Sequence, residues 1–231
     1  MKSTKNIKNR VEINKNVEVL LEQFEIKSFL EIGLGPMLRP SRLKAIDRLG
    51  IRFTGLDFQE VCDTHDAERD RLEIPKDRMR YIGNHTGTYL YNLIRLKREG
   101  AKFDLIYLDG HHTMYVDFAA AMACIPLLNP GGFIAFDDVT WNLAEKEKSL
   151  SNSEFYKDMY DFDIYTPEEK AEAHIGVIAN EYFRDGFGFE EDAEFSAENW
   201  KLLRAPRAIW NIPRWGQKWT LKSLWAWTRN R

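Results

Sequence analysis

The chain has 231 residues, 44% of them hydrophobic and 30% charged, with a formal net charge of −3. A chain of that length can bury the core of one large domain without disulfides or structural metals, and its near-neutral balance gives no global signature of nucleic-acid binding. Cys62 and Cys124 form neither a metal-type pair nor a disulfide framework, no run approaches the roughly 18 apolar residues of a membrane span, and the basic start lacks the apolar centre of a signal peptide; the expectation is a cytoplasmic protein without a transmembrane span.

In chain order, residues 1–16 are polar and basic, and Val17, Leu20, Leu21 and Phe24 are spaced as on one face of a helix. Ser28–Gly33 reads as a strand running into a glycine turn. Helix over 39–49, strand over 52–57, strand over 78–82, helix over 88–98, strand over 103–109, helix over 115–128, a turn at Asn129-Pro-Gly-Gly132 and a strand over 133–137 follow. Strands alternating with helices predict a parallel sheet covered on both faces, and the nearly unbroken apolar strands agree with burial on both sides. The signal weakens after residue 140. Residues 174–179 read as a late strand and about 200–204 as the last. Residues 141–173 read as helical and acidic, suited to a lid or a substrate-recognition segment.

Charge is unevenly spread. Residues 141–200 carry 16 acidic and 5 basic side chains, whereas 201–231 carry 8 basic and no acidic ones. The end also holds Trp210, Trp215, Trp219, Trp225 and Trp227, with an amphipathic helix predicted over about 218–229. Such a helix packs on the body of the domain or across a contact between copies in a homo-oligomer.

In an open parallel sheet, ligands bind beyond the carboxyl ends of the strands. Here those ends carry Glu31 with Gly33 and Gly35, then Asp57, then Asn84 with His85, then Asp109 with His111 and His112, then Asp137 with Asp138. Glycines let the backbone turn tightly and approach a ligand. The dinucleotide pattern G-x-G-x-x-G is broken, because position 38 is Leu; this argues against a nicotinamide enzyme and suits a cofactor with no pyrophosphate. Asp57 can accept hydrogen bonds from ribose hydroxyls, or cap the helix that follows. If the strands ending at Asp109 and Asp137 are neighbours, their ends lie about 5 Å apart, and three carboxylates converge. They would repel unless a proton or a cation intervenes, and Mg²⁺ with oxygen ligands is one solution; helix capping and solvent exposure are the other. His111 and His112 are either general-base candidates or histidines at a helix start. His65 and His174 lack such a setting and read as structural.

These residues resemble a known family. Phe103-Asp-Leu-Ile-Tyr-Leu-Asp-Gly-His-His112 and Leu127-Leu-Asn-Pro-Gly-Gly-Phe-Ile-Ala-Phe-Asp-Asp138, together with Phe29-Leu-Glu-Ile-Gly-Leu-Gly35 and Gly55-Leu-Asp57, are similar to class I S-adenosylmethionine-dependent methyltransferases over about residues 28–140. The likeness is nearest to the metal-dependent O-methyltransferase branch that acts on sugar and catechol-type hydroxyls. It implies a Rossmann-like, doubly wound, mostly parallel seven-stranded sheet with a reversed last hairpin from 174–179 and about 200–204. It also implies an N-terminal basic segment and helix (1–27), a methyltransferase domain (28–208) and a basic tail (209–231). By resemblance, Glu31, Gly33 and Gly35 line the methionine part of S-adenosylmethionine, Asp57 the ribose, and Asn84 and His85 the adenosine. Asp109 borders the cofactor and, with Asp137 and Asp138, holds Mg²⁺; His112 is the base, with His111 beside it. The loop Gly35-Pro-Met-Leu-Arg-Pro40 departs from the pattern, lacking the usual small residues. The expected partner is a small-molecule hydroxyl substrate such as a sugar. Three other readings compete: a metal-independent N-methyltransferase, an aminopropyl transferase, and a non-catalytic nucleotide-binding module.

Overall fold

The structure is a computed structural model, and it describes residues 17–85, 88–150 and 160–207. The predicted basic, Trp-rich helix over 218–229 lies outside the described residues. Seven strands form one sheet: β1 (Ser28–Ile32), β2 (Arg52–Phe58), β3 (Met79–Asn84), β4 (Phe103–Leu108), β5 (Leu128–Asp137), β6 (Glu190–Glu191) and β7 (Trp200–Arg204). Their order is β3-β2-β1-β4-β5-β7-β6. The pairs from β3 through β5 are parallel, and β7 runs antiparallel between β5 and β6. The predicted α/β, mostly parallel seven-stranded sheet is the fold of the protein.

Helices α1 (Val17–Gln23), α2 (Pro40–Arg48), α3 (Gln59–Arg71), α4 (Leu90–Arg98), α5 (Met114–Cys124), α6 (Leu143–Leu150), α7 (Pro167–Ala171) and α8 (His174–Val177) complete the layers, α8 continuing as a π-helix over Ile178–Gly186. Successive strand residues point to opposite faces, and the core divides accordingly. Leu30, Ile32, Ile106, Leu108, Ile134 and Phe136 pack with Leu93, Ala120 and Ile178 on one face. Phe29, Leu105, Tyr107, Phe133 and Ala135 pack with Leu20, Ile46 and Cys62 on the other. Burial on both sides is why these strands read as apolar runs rather than as alternating ones.

Two expectations need correction. Residues 174–179 are helical, not a strand. Ile175, Ile178, Ala179 and Phe183 are the buried apolar positions, and their spacing of three, one and four is that of a helix face. Gly176 allows the close fit: a Cβ there would stand 2.4 Å from the Val139 carbonyl oxygen. The hairpin beside β5 is therefore built from Glu190–Glu191 and Trp200–Arg204. The Asn-Pro-Gly-Gly segment lies inside β5, where the register to β4 slips between Phe103 and Leu105.

Winding away from β1 in both directions places the switch of strand order between β1 and β4, the position where doubly wound sheets open a crevice at their carboxyl edge. Gly33 and Asp109 follow those two strands directly. Among the described residues no helix is long and apolar enough to cross a membrane.

Candidate active site

The glycine turn after β1 is fixed by close approach. Gly33 has φ +84°, and a Cβ built on it would lie 1.8 Å from the Asp109 carbonyl oxygen. Only glycine fits, because both the torsion and the neighbour forbid a side chain. The Gly33 amide donates to the Leu56 carbonyl and the Asp109 amide to the Ile32 carbonyl, each at 2.9 Å. Gly35 has φ +64° and nothing within 4 Å of its Cβ position, so the outer side of the turn is open. Its amide donates to Asp57 Oδ2 at 2.9 Å, while Asp57 Oδ1 accepts from the Phe58 amide at 2.6 Å. Helix α3 starts from Phe58 with no side-chain cap, so Asp57 clamps the glycine turn instead of capping the helix. An ionised carboxylate has about four acceptor sites, and two of these are used.

Glu31, just before the turn, is buried and ion-paired with Arg42 of α2. The Arg42 guanidinium lies 5.6 Å from the centroid of the Tyr107 ring. The β1–β4 register pairs Glu31 with Tyr107, which puts this charge beneath the crevice.

At the next two strand ends, acids and one imidazole meet. His112 Nε2 is 3.6 Å from Asp109 Oδ1 and 3.9 Å from Asp138 Oδ2. Arg39 Nη2 is 3.9 Å from Asp109 Oδ2. Tyr107 donates its hydroxyl hydrogen to Asp137 at 2.7 Å, with Asp109 at 3.4 Å. Burial pushes the Asp109 carboxyl up to about 8, reinforced by the neighbouring carboxylates of Asp137 and Glu31 and opposed by Arg39. Burial likewise raises the Tyr107 hydroxyl, followed by Asp109 and Asp137, so it stays a donor. His112 and Asp138 adopt left-handed backbone, φ 63° and 51°. Such torsions cost about 1–2 kcal/mol outside glycine and cluster at functional sites.

The loop carrying the two histidines is held from below. Asp117 of α5, fully buried, accepts from the amides of His111 at 3.2 Å and Thr113 at 3.0 Å. Gly110 makes room for it, since a Cβ there would lie 2.2 Å from Asp117 Oδ1. The His111 ring bonds Thr113 Oγ1 at 3.0 Å and packs on Tyr160 with centroids 4.5 Å apart, and the Tyr160 hydroxyl donates to the His111 carbonyl at 3.0 Å. The two adjacent histidines thus face different surroundings, His112 the acids and His111 the Thr113–Tyr160 side. Trp141 packs against His112 at 5.4 Å and Tyr160 at 5.9 Å, forming an aromatic wall.

Asn84 is buried at the end of edge strand β3, and His85 is exposed on the bend beyond it. His65 bonds the Gly35 carbonyl at 2.9 Å. The buried His174 accepts from the Met114 amide at 3.0 Å, its other nitrogen 2.8 Å from the Glu169 carbonyl, and so supports the start of α5. A cavity of about 520 Å³ lies away from the strand ends, lined by Glu18, Ser41, Arg48 and Leu72 among others.

Sequence reasoning missed Arg39, Tyr107, Asp117, Trp141 and Tyr160. Tyr107 was accessible in principle, because residues 107 and 109 share a strand face. Asp117 and Tyr160 act through tertiary contacts that no local pattern announces.

A doubly wound sheet with a glycine turn at its switch point and an acid closing the second strand is the layout of a nucleoside-binding α/β fold. Residues 30–139, from within β1 to just past β5, match the family model described as a methyltransferase domain. No curated protein sequence matches it significantly. Solved structures share the fold. An O-methyltransferase family protein from Burkholderia thailandensis is 14% identical with a TM-score of 0.51, over 85% of this chain and 57% of that one. An O-methyltransferase from Bacillus cereus, solved with SAH, is 14% identical with a TM-score of 0.52, over 88% and 91%. MycE, a methyltransferase of the mycinamycin biosynthetic pathway in complex with Mg, SAH and mycinamycin VI, is 17% identical with a TM-score of 0.51, over 89% and 50%. The chain therefore spans little more than half of the first protein and half of the third.

Proposed function

We propose that the protein transfers the methyl group of S-adenosylmethionine to a hydroxyl of a sugar or another small molecule, assisted by a divalent cation. The observation that carries this reading is His112 Nε2 lying between Asp109 and Asp138, at 3.6 and 3.9 Å, one strand from the glycine turn. The neighbours bound to SAH, and in MycE also to Mg and mycinamycin VI, support the same reading.

On this reading Gly33 and Gly35 give the backbone approach for the methionine end, with Glu31 beneath them held by Arg42. The two unused acceptor sites of Asp57 take ribose hydroxyls. Asn84 and His85 border the adenosine at the edge of β3. Bound S-adenosylmethionine supplies an electrophilic methyl group. His112 accepts the proton of the acceptor hydroxyl, a role suited to an imidazole near neutral pH, and is oriented by Asp109 and Asp138. His111 keeps the loop in place through Thr113 and Tyr160. On the acceptor side, Trp141 and Tyr160 offer an aromatic wall to a ring. Holding the oxygen and the methyl carbon in line removes much of the entropic barrier.

The donor set suits a hard cation. Asp109 and Asp138 both approach His112 Nε2, and burial followed by the neighbouring carboxylates raises the Asp109 carboxyl. These two oxygen donors, with Asp137 if it leaves Tyr107, would hold the ion. When bound, such an ion acidifies a hydroxyl and stabilises the oxyanion.

One feature favours metal-independent transfer to an amine as a second reading. Asp137 is engaged by the Tyr107 hydroxyl at 2.7 Å, which takes one of the three acids away from an ion. Calorimetric titration with S-adenosylhomocysteine separates these cases. Saturable binding that strengthens with Mg²⁺ is the expected result. Binding indifferent to Mg²⁺ and to EDTA, with transfer to an amine intact in chelator, removes the cation and the hydroxyl. Absence of any binding removes the methyl-donor site.

A further inference from the structure

Helix α5 turns no charged side chain to solvent. Its one charged residue, Asp117, is fully buried beneath the 110–113 loop. The outward positions are Tyr115, which is 78% exposed, and the half-buried Phe118, Ala119 and Met122. A surface helix ordinarily presents charged and polar groups on its outer side, as the neighbouring α4 does with Lys97 and Arg98. The apolar strip continues onto the π-helix, where Tyr182 is 40% exposed and its ring stands 4.8 Å from that of Phe118. Contiguous apolar surface of this kind marks a place that another element covers.

The chain itself carries a matching element. Arg207 leaves from the foot of β5, its Cγ 3.9 Å from the Cβ position of Gly131, which follows the end of α5 by seven residues. In the sequence beyond it, the helix predicted over 218–229 places Leu224 and Trp227 on one side and Lys218, Lys222 and Arg229 on the opposite one. At 1.5 Å per residue such a helix is about 18 Å long, against about 16 Å for α5. The stretch 208–217 can span roughly 33 Å, enough to set the two side by side. Charge agrees. Residues 178–198, the π-helix beside α5 and the turn that follows it, carry seven acidic and one basic side chain, whereas 208–231 carry five basic and no acidic ones. Covalent attachment also gives the tail an effective concentration of about millimolar, above that of a second copy. We propose that residues 218–229 form a helix that covers the outer face of α5, with Leu224 and Trp227 against Phe118 and Met122. The cover braces the helix whose first turn supports the His111–His112 loop.

Hydrogen exchange read by mass spectrometry on the full chain tests this, with Ala119→Glu setting a charge in the covered strip. In the wild type the amides of 218–229 are expected to exchange at least about 10-fold more slowly than in an unstructured peptide, and Ala119→Glu is expected to abolish that protection. Should Ala119→Glu fail to fold, the reciprocal variant Leu224→Asp, which alters no residue of the sheet or of α5, decides. It is expected to raise peroxide oxidation of Met122 about fivefold, because a covered thioether is shielded from the oxidant, and to leave the buried Met79 unchanged. Tail amides that exchange freely in the wild type, protection that survives Ala119→Glu, or Met122 oxidation unmoved by Leu224→Asp overturns the proposal. Protection that appears only where light scattering reports a dimer assigns the strip to a second copy, and protection that appears only with phosphatidylglycerol vesicles assigns the tail to a membrane surface; either result overturns it too.

Discussion

The two halves of the crevice are built in opposite ways. On the β1–β2 side, the Gly33 torsion is paired with a contact that demands glycine, the Gly33 and Gly35 amides are bonded, and the Asp57 carboxylate accepts from two amides. On the β4–β5 side, three carboxylates crowd together, Asp109 is driven towards its protonated form, and two non-glycine residues hold left-handed backbone. The first half sets shape through the backbone. The second stores unfavourable charge and torsion that the rest of the fold sustains, a pattern that marks sites where chemistry is carried out.

This contrast can be broken most severely at Gly33. Gly33→Ala places a methyl group 1.8 Å from the Asp109 carbonyl, so the β1 and β4 ends must separate. A loss of more than about 3 kcal/mol in stability is expected from combined overpacking and torsional strain, read by urea denaturation. A loss below about 1 kcal/mol would show that the turn is not clamped. On the charged side, the expected damage is to chemistry. His112→Ala should lower turnover by about 10²–10⁴-fold, the contribution of a general base, with affinity for S-adenosylhomocysteine changed less than about threefold. Parallel losses in binding and turnover would move His112 to the donor side. The smallest effect sharpens the comparison. Asp138→Gly relieves a left-handed torsion and removes one of the crowded charges, so thermal stability should rise by about 0.5–1 kcal/mol while activity falls. A fall in stability would mean that Asp138 is structurally satisfied, not strained.

Much of the β1–β5 unit was legible because buried parallel strands announce themselves as apolar runs that end in glycine or acid. Helix α3 was not, for a physical reason. It buries Cys62, His65, Glu68 and Arg69, so its inward face is largely polar and carries no hydrophobic period. Arg69 reaches the Ile74 carbonyl and Asp66, contacts that no pattern search registers. The stretch 174–179 was misread because five of its residues are apolar or small, and a short apolar run does not tell strand from helix until Phe183 extends the helical spacing. At the site, the strand-end acids and histidines could be named from their positions. Their unequal roles could not, because these depend on Tyr107 taking Asp137, on Asp117 holding the 110–113 loop, and on Tyr160 drawing His111 aside.

The central claim is that the glycine turn and the acid–imidazole cluster serve one ligand from two sides. The most direct measurement is a crystal structure of the protein soaked with S-adenosylhomocysteine. The account predicts the ribose hydroxyls on Asp57 and the sulfur at the turn of Gly33, facing His112. A nucleoside bound elsewhere, or one whose sulfur points away from His112 and Asp109, would contradict it.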